Sequence, residues 1–135
     1  MTSITQFPGV DISPLLQALR IESGYWFLST PYTRYEGGIE SAFKDACQLA
    51  GKLMQLGIPV FSPIAHSHPI SVHAGIDPLD HAAWMGRGVP MIDGAHGLIV
   101  GKLKGWSNSL GMAQEIQAFQ RAKKPIQFVN PESLR

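Results

Sequence analysis

At 135 residues, with 44% apolar and 16% charged side chains, the chain has the size of one folded domain: too short for two ordinary cores and too apolar to stay disordered. Its formal net charge is +1, with no basic stripe or like-charge run, which gives no support to binding a nucleic-acid duplex through phosphate neutralisation. A single cysteine, Cys47, excludes an internal disulfide and a thiolate metal cluster and fits a reducing cytoplasm.

The opening MTSITQFPGVDISPLL reads as no secretory leader, and no apolar run approaches the ~20 residues of a membrane span. Residues 1–23 read as an N-terminal appendage with a short helix over PLLQALR, Asp11 or Ser13 as its cap and Pro14 in its first turn. The body of the domain is expected over 24–135. GYWFLST (24–30) is a short aromatic and apolar run, a buried strand ended by PYTRYEGG. From Gly38 to Leu56 the pattern is helical: Ile39, Phe43, Ala46, Ala50 and Leu53 form one stripe, and Gly57 stops it. IPVFSPI (58–64) reads as a second strand. The following segment, AHSHPISVHAGIDPLDHAAWMGRG, reads as a long connection with a short helix around Pro78 to Met85, and connections of that length are usually functional. HGLIVGKL (96–103) is a third strand, SLGMAQEIQAFQRAKK (109–124) a helix, and PIQFVN (125–130) the last strand. Short apolar strands alternating with helices predict an α/β fold, its mostly parallel sheet covered on both faces. Ligands bind such sheets beyond the carboxyl ends of the strands, where the loops Ser29 to Tyr35, Ser62 to Asp77 and Lys102 to Ser109 fall.

Within GWSNSLGMAQEI, Ser109 or Asn108 can cap the helix, and the amides around Leu110 and Gly111 offer an anion site at its positive end. Gly111 admits a ligand close to the backbone. Met112, Ile116 and Phe119 form the apolar face, and at ~100° per residue Glu115 falls on its border. A carboxylate there is either a border glutamate paired with a lysine or arginine, or a partly buried group suited to a nucleophile or to acid–base work. Ser29, Thr30, Tyr32 and Thr33 place hydroxyls after the first strand; they can touch a sugar or phosphate, or simply form a turn around Pro31. The glycines and lysine of a P-loop are missing.

His66, His68 and His73, with Asp77, Asp80 and His81 downstream, are the raw material of a zinc or iron site. A loop without register does not fix such geometry, so the expectation is histidines that line a pocket or hold the loop, with no metal and no cofactor. Asp93 is either a second acid or the cap of a turn. Trp26, Trp84 and Trp106 are read as core or interface packing, Trp106 alternatively as a surface for a base.

FLSTPYT, GIPVFSPIAHSHPI and GWSNSLGMAQEIQAFQRAKKPI, in that order, resemble a family of short uncharacterised proteins within the nucleoside 2-deoxyribosyltransferase-like superfamily, which also holds the 2′-deoxynucleoside 5′-phosphate N-hydrolases. The hydrolases carry a pattern similar to Ser109-Leu110-Gly111 through Glu115. The resemblance implies a flavodoxin-like (Rossmann-like) three-layer sandwich with four to five strands, and cleavage or transfer at an N-glycosidic bond. It implies Glu115 as nucleophile, in the manner of retaining glycosidases. Ser109 and Gly111 would hold a 5′-phosphate or 5′-hydroxyl, and Ser29, Thr30 and Tyr32 the sugar side; from the histidine-rich segment itself, His68 is expected on the substrate pocket. The partner implied is a small nucleoside or nucleotide; a homo-oligomer, dimer or tetramer, is expected, and neither a nucleic-acid duplex nor a membrane. The position at which relatives often carry the acid for the leaving base falls at Gly88, so Asp93 or Asp80 would have to replace it, or the acid is lost. For the tyrosine that often supports the nucleophile, Tyr25 is present but the closest register gives Phe27.

Overall fold

The computed structural model describes residues 11–134, without the side chains of His81, Ala83, Met85 and Arg87. The first ten residues, where part of the leader reading falls, and the side chain of His81, counted above among the candidate metal ligands, lie outside the described residues. Four strands, β1 (Trp26–Ser29), β2 (Val60–Phe61), β3 (Gly97–Gly101) and β4 (Ile126–Val129), form one sheet in the order β2-β1-β3-β4. Every pairing is parallel. With helices α1 (Ser13–Leu19), α2 (Ile39–Gln55), α3 (Pro63–Ala74), α4 (His81–Gly94) and α5 (Leu110–Arg121) around it, the sheet makes a flavodoxin-like three-layer α/β sandwich.

Side chains alternate across a strand with period two, and this alternation sorts the two cores. Trp26 and Leu28 of β1 join Ile99 of β3 in one cluster, with Leu49, Ala50 and Leu53 of α2. Phe27 of β1 joins Leu98 and Val100 of β3 in the other, with Met112 and Phe119 of α5. Ser29 follows Phe27 by two and therefore faces α5. The segment expected as an appendage supplies Ile12, Leu16 and Leu19 to the first core, and the Trp26 indole N–H donates to the Leu19 carbonyl at 2.8 Å.

The long connection is where expectation and structure part. In place of an open loop with one short helix, the chain winds into α3 and α4. Ser62 caps α3 by accepting from the Ala65 amide at 3.2 Å, and Pro63 stands at its start, where a missing N–H is harmless. The buried positions of α3 are Ile64, His68 and Ser71, two of them polar, so hydrophobic periodicity gives no sign of the helix. The second strand is also shorter than IPVFSPI suggests, since Pro59 and Pro63 bracket it and cannot donate to a ladder.

The sheet order reverses direction between β1 and β3, which opens the crevice that such folds use for ligands. The sheet is tight at the opposite end: a Cβ at Gly97 would stand 2.5 Å from the Pro125 carbonyl oxygen and 2.7 Å from the Trp26 ring. Gly97→Ala is therefore expected to lower stability by about 1–3 kcal/mol through forced backbone movement. A denaturant midpoint equal to that of the wild type would show that the strands separate there without cost.

Candidate functional site

The segments after β1, β2 and β3 enclose a cavity of about 940 Å³ at the carboxyl ends of the strands. Its apolar wall includes Phe27, Phe61, Ile64, Ile70, Trp84 and Met112; its polar wall includes Thr30, Tyr32, Asn108, Ser109 and Glu115. Arg34 and Lys104 bring positive charge to the lining, with Lys104 in an exposed ion pair with Glu36. Among the described residues, Glu115 is the only Asp or Glu on the cavity wall.

Glu115 lies on α5 between Met112 and Phe119, both buried in the second core. The residue as a whole is half-buried. Ser29 Oγ, from the end of β1, donates to Glu115 Oε1 at 2.6 Å. Burial pushes the carboxyl up to about 7, and the Ser29 hydrogen bond, which favours the ionised form, pulls the other way. Ser29 is fully buried and does not line the cavity; its hydroxyl stands behind the carboxylate rather than on the substrate side. The Tyr25 hydroxyl donates to the Met91 carbonyl, away from Glu115, while Phe27 lies on the cavity wall.

Ser109 caps α5 by accepting from the Met112 amide at 3.3 Å, leaving its own hydrogen free to donate. At Gly111 an added Cβ would meet nothing within 4 Å, so the space in front of the helix start is open. Thr30 borders the same cavity, and its buried Oγ1 has no hydrogen-bond partner, a polar atom left for a ligand to satisfy.

His68 does not line the cavity. It is buried on α3, 3% exposed, stacked on Phe43 with ring centroids 4.5 Å apart, and bonded to Tyr32 and Glu40. His66 does reach the cavity, beside Phe61. Among the described residues no three His, Cys, Asp or Glu side chains gather as a metal site. Asp93 is exposed and off the cavity wall. It lies in the last turn of α4, where Lys124 Nζ donates to the carbonyls of Ile92, Asp93 and Ala95. Asp80, also exposed, precedes α4 and lies outside the lining, and Gly88 occupies the wall. Trp106 packs on Phe128, whereas Trp84 reaches the cavity with its indole N–H donating to the Asp77 carbonyl.

Glu40, Arg34 and Lys104 carry no motif in the sequence, whereas His66 is one of the histidines expected to line a pocket. Glu40 and His68 are 28 residues apart, too far for any local spacing rule. Ser29 carried a usable signal, the two-residue alternation from Phe27 that aims it at α5.

A model of the family described as "Domain of unknown function (DUF1937)" matches residues 24–130. No curated protein matches the chain.

The raised carboxyl makes a thermodynamic prediction. A folded-state value of about 7 against an ordinary 4.5 means that this group's contribution to stability is fully present below about 4.5 and is lost as pH rises through about 7. Wild-type stability measured against Glu115→Gln is expected to fall by about 3 kcal/mol across that window and then level off. Ser29→Ala is expected to raise the carboxyl further, because the lost hydrogen bond favours the ionised form. Carboxyl-detected NMR titration reads this directly, and a lowered value would contradict it.

Proposed function

The chain belongs to the DUF1937 family, whose function is unknown, and from its site we propose that it cleaves, or transfers at, the N-glycosidic bond of a nucleoside or nucleoside 5′-monophosphate, with Glu115 as nucleophile. One observation carries this reading: a lone cavity carboxylate, raised to about 7 by burial and held by Ser29 at 2.6 Å. Burial disfavours the charged carboxylate, and ester formation with the anomeric carbon neutralises it, so the same burial lowers the barrier to covalent catalysis. The cavity volume of about 940 Å³ lies within the range of small-molecule sites.

The resemblance of Ser109-Leu110-Gly111 through Glu115 to the nucleoside 5′-phosphate N-hydrolases supports the same chemistry. The amides of Leu110 and Gly111 at the positive end of α5, the Ser109 hydroxyl, and the Arg34 and Lys104 cations suit a 5′-phosphate. Phosphate would displace Glu36 from Lys104. Phe61, Ile64 and Trp84 give an apolar surface for the base. A second reading, a non-catalytic module for a nucleotide or an ADP-ribose-like ligand, draws on one observation: no second Asp or Glu among the described residues faces the cavity.

Incubation with a panel of nucleosides and nucleoside monophosphates, with free base read by chromatography, separates the two. Release of base is expected from at least one substrate, falling by about 10³-fold or more in Glu115→Ala and Glu115→Gln. The rate is expected to rise with pH as Glu115 ionises around 7. Tight binding of nucleotide without release of base would favour the non-catalytic reading.

A further inference from the structure

Glu40, His68 and Tyr32 come from three separate segments and form one continuous chain of hydrogen bonds. The Glu40 carboxylate lies 2.8 Å from His68 Nε2, and His68 Nδ1 lies 2.7 Å from the Tyr32 hydroxyl. Tyr32 lines the cavity that holds Glu115, whereas His68 is sealed behind it, 3% exposed. The outer carboxylate is 61% exposed, in touch with solvent protons. A carboxylate only accepts, so Nε2 carries a hydrogen and Nδ1 of the neutral ring accepts from Tyr32. When His68 is protonated, Nδ1–H donates to the Tyr32 oxygen instead, and the Tyr32 hydrogen turns toward the cavity.

We infer that Glu40, His68 and Tyr32 are a proton relay whose inner member, Tyr32, protonates the departing base. The inference rests on the proposed N-glycosidic cleavage and supplies the acid that reaction needs without a second Asp or Glu. In the first step a Glu115 oxygen bonds to the anomeric carbon, and the C–N bond breaks with its electron pair going to the base. The base takes the Tyr32 proton, and the Tyr32 oxygen takes the Nδ1 proton of His68, leaving a neutral imidazole still bonded to Glu40. Water then attacks the anomeric carbon and frees the Glu115 carboxylate, and its proton returns through Tyr32 to His68. The sum is nucleotide plus water giving base plus sugar phosphate. Burial and the Glu40 charge raise the Tyr32 hydroxyl above its ordinary value, with Ser71 opposing, so its proton is in place at neutral pH.

The rival donor is His66, which also lines the cavity. Against His68 stand Glu40 and the Phe43 ring from α2 and Tyr32 from the segment after β1; of these only Glu40 is charged.

The test compares two leaving groups on one sugar: a natural base, which must be protonated to leave, and 4-nitrophenolate, which leaves as a stable anion. Tyr32→Phe is expected to slow release of the natural base by about 100-fold or more while changing nitrophenolate release by less than about threefold. His68→Gln and Glu40→Gln are expected to repeat this selectivity more weakly. Glu115→Gln is expected to abolish both. Equal losses on the two substrates in folded Tyr32→Phe, or a selective loss in His66→Ala with Tyr32→Phe unaffected, would overturn the relay and leave the nucleophile standing. No release of either leaving group by wild type would overturn the nucleophile and the relay together.

Discussion

A carboxylate held at the seam between a helix and the end of a strand is the constraint on which the rest of this site depends. The 2.6 Å bond from Ser29 to Glu115 ties β1 to α5 at the point where the sheet order reverses. The packing of Met112 and Phe119 into the second core fixes α5 against the sheet and sets where Glu115 stands. Burial enough to raise the carboxyl to about 7 opposes folding at neutral pH. The two cores on either face of the sheet offset that penalty.

Polar groups recur where a purely structural helix would carry apolar ones. His68 and Ser71 occupy buried positions of α3, and a buried imidazole is tolerated only because Tyr32 and Glu40 satisfy both ring nitrogens. Ser71 Oγ donates to the His68 carbonyl at 2.8 Å, so the helix carries its own polar support. The result is a hydrogen-bonded connection between α2 and the cavity wall, in a stretch whose composition resembles a loop.

Much of the fold was legible in the chain. Apolar runs marked all four strands, and the stripe through Ala46, Ala50 and Leu53 marked α2, because each element buries one continuous face. The failures share one cause. Helix α3 buries polar residues, Pro69 and Pro90 lie inside α3 and α4, and periodicity reads only hydrophobic burial. Likewise, the appendage belongs to the first core through Leu16 and Leu19, which seven helical residues cannot announce on their own.

For the site, sequence alone determined the local part: a cap at Ser109 or Asn108, a glycine one turn before Glu115, and the border position of that glutamate, since all three follow from helix geometry over a few residues. Tertiary structure decided the rest. It buried Glu115 and chose Ser29 as its partner 86 positions away, withdrew Asp93 to the exposed end of α4, and turned His68 from the cavity toward Glu40. Charge, burial and hydrogen-bond partners belong to contacts between segments, and spacing along a chain does not encode which segments meet.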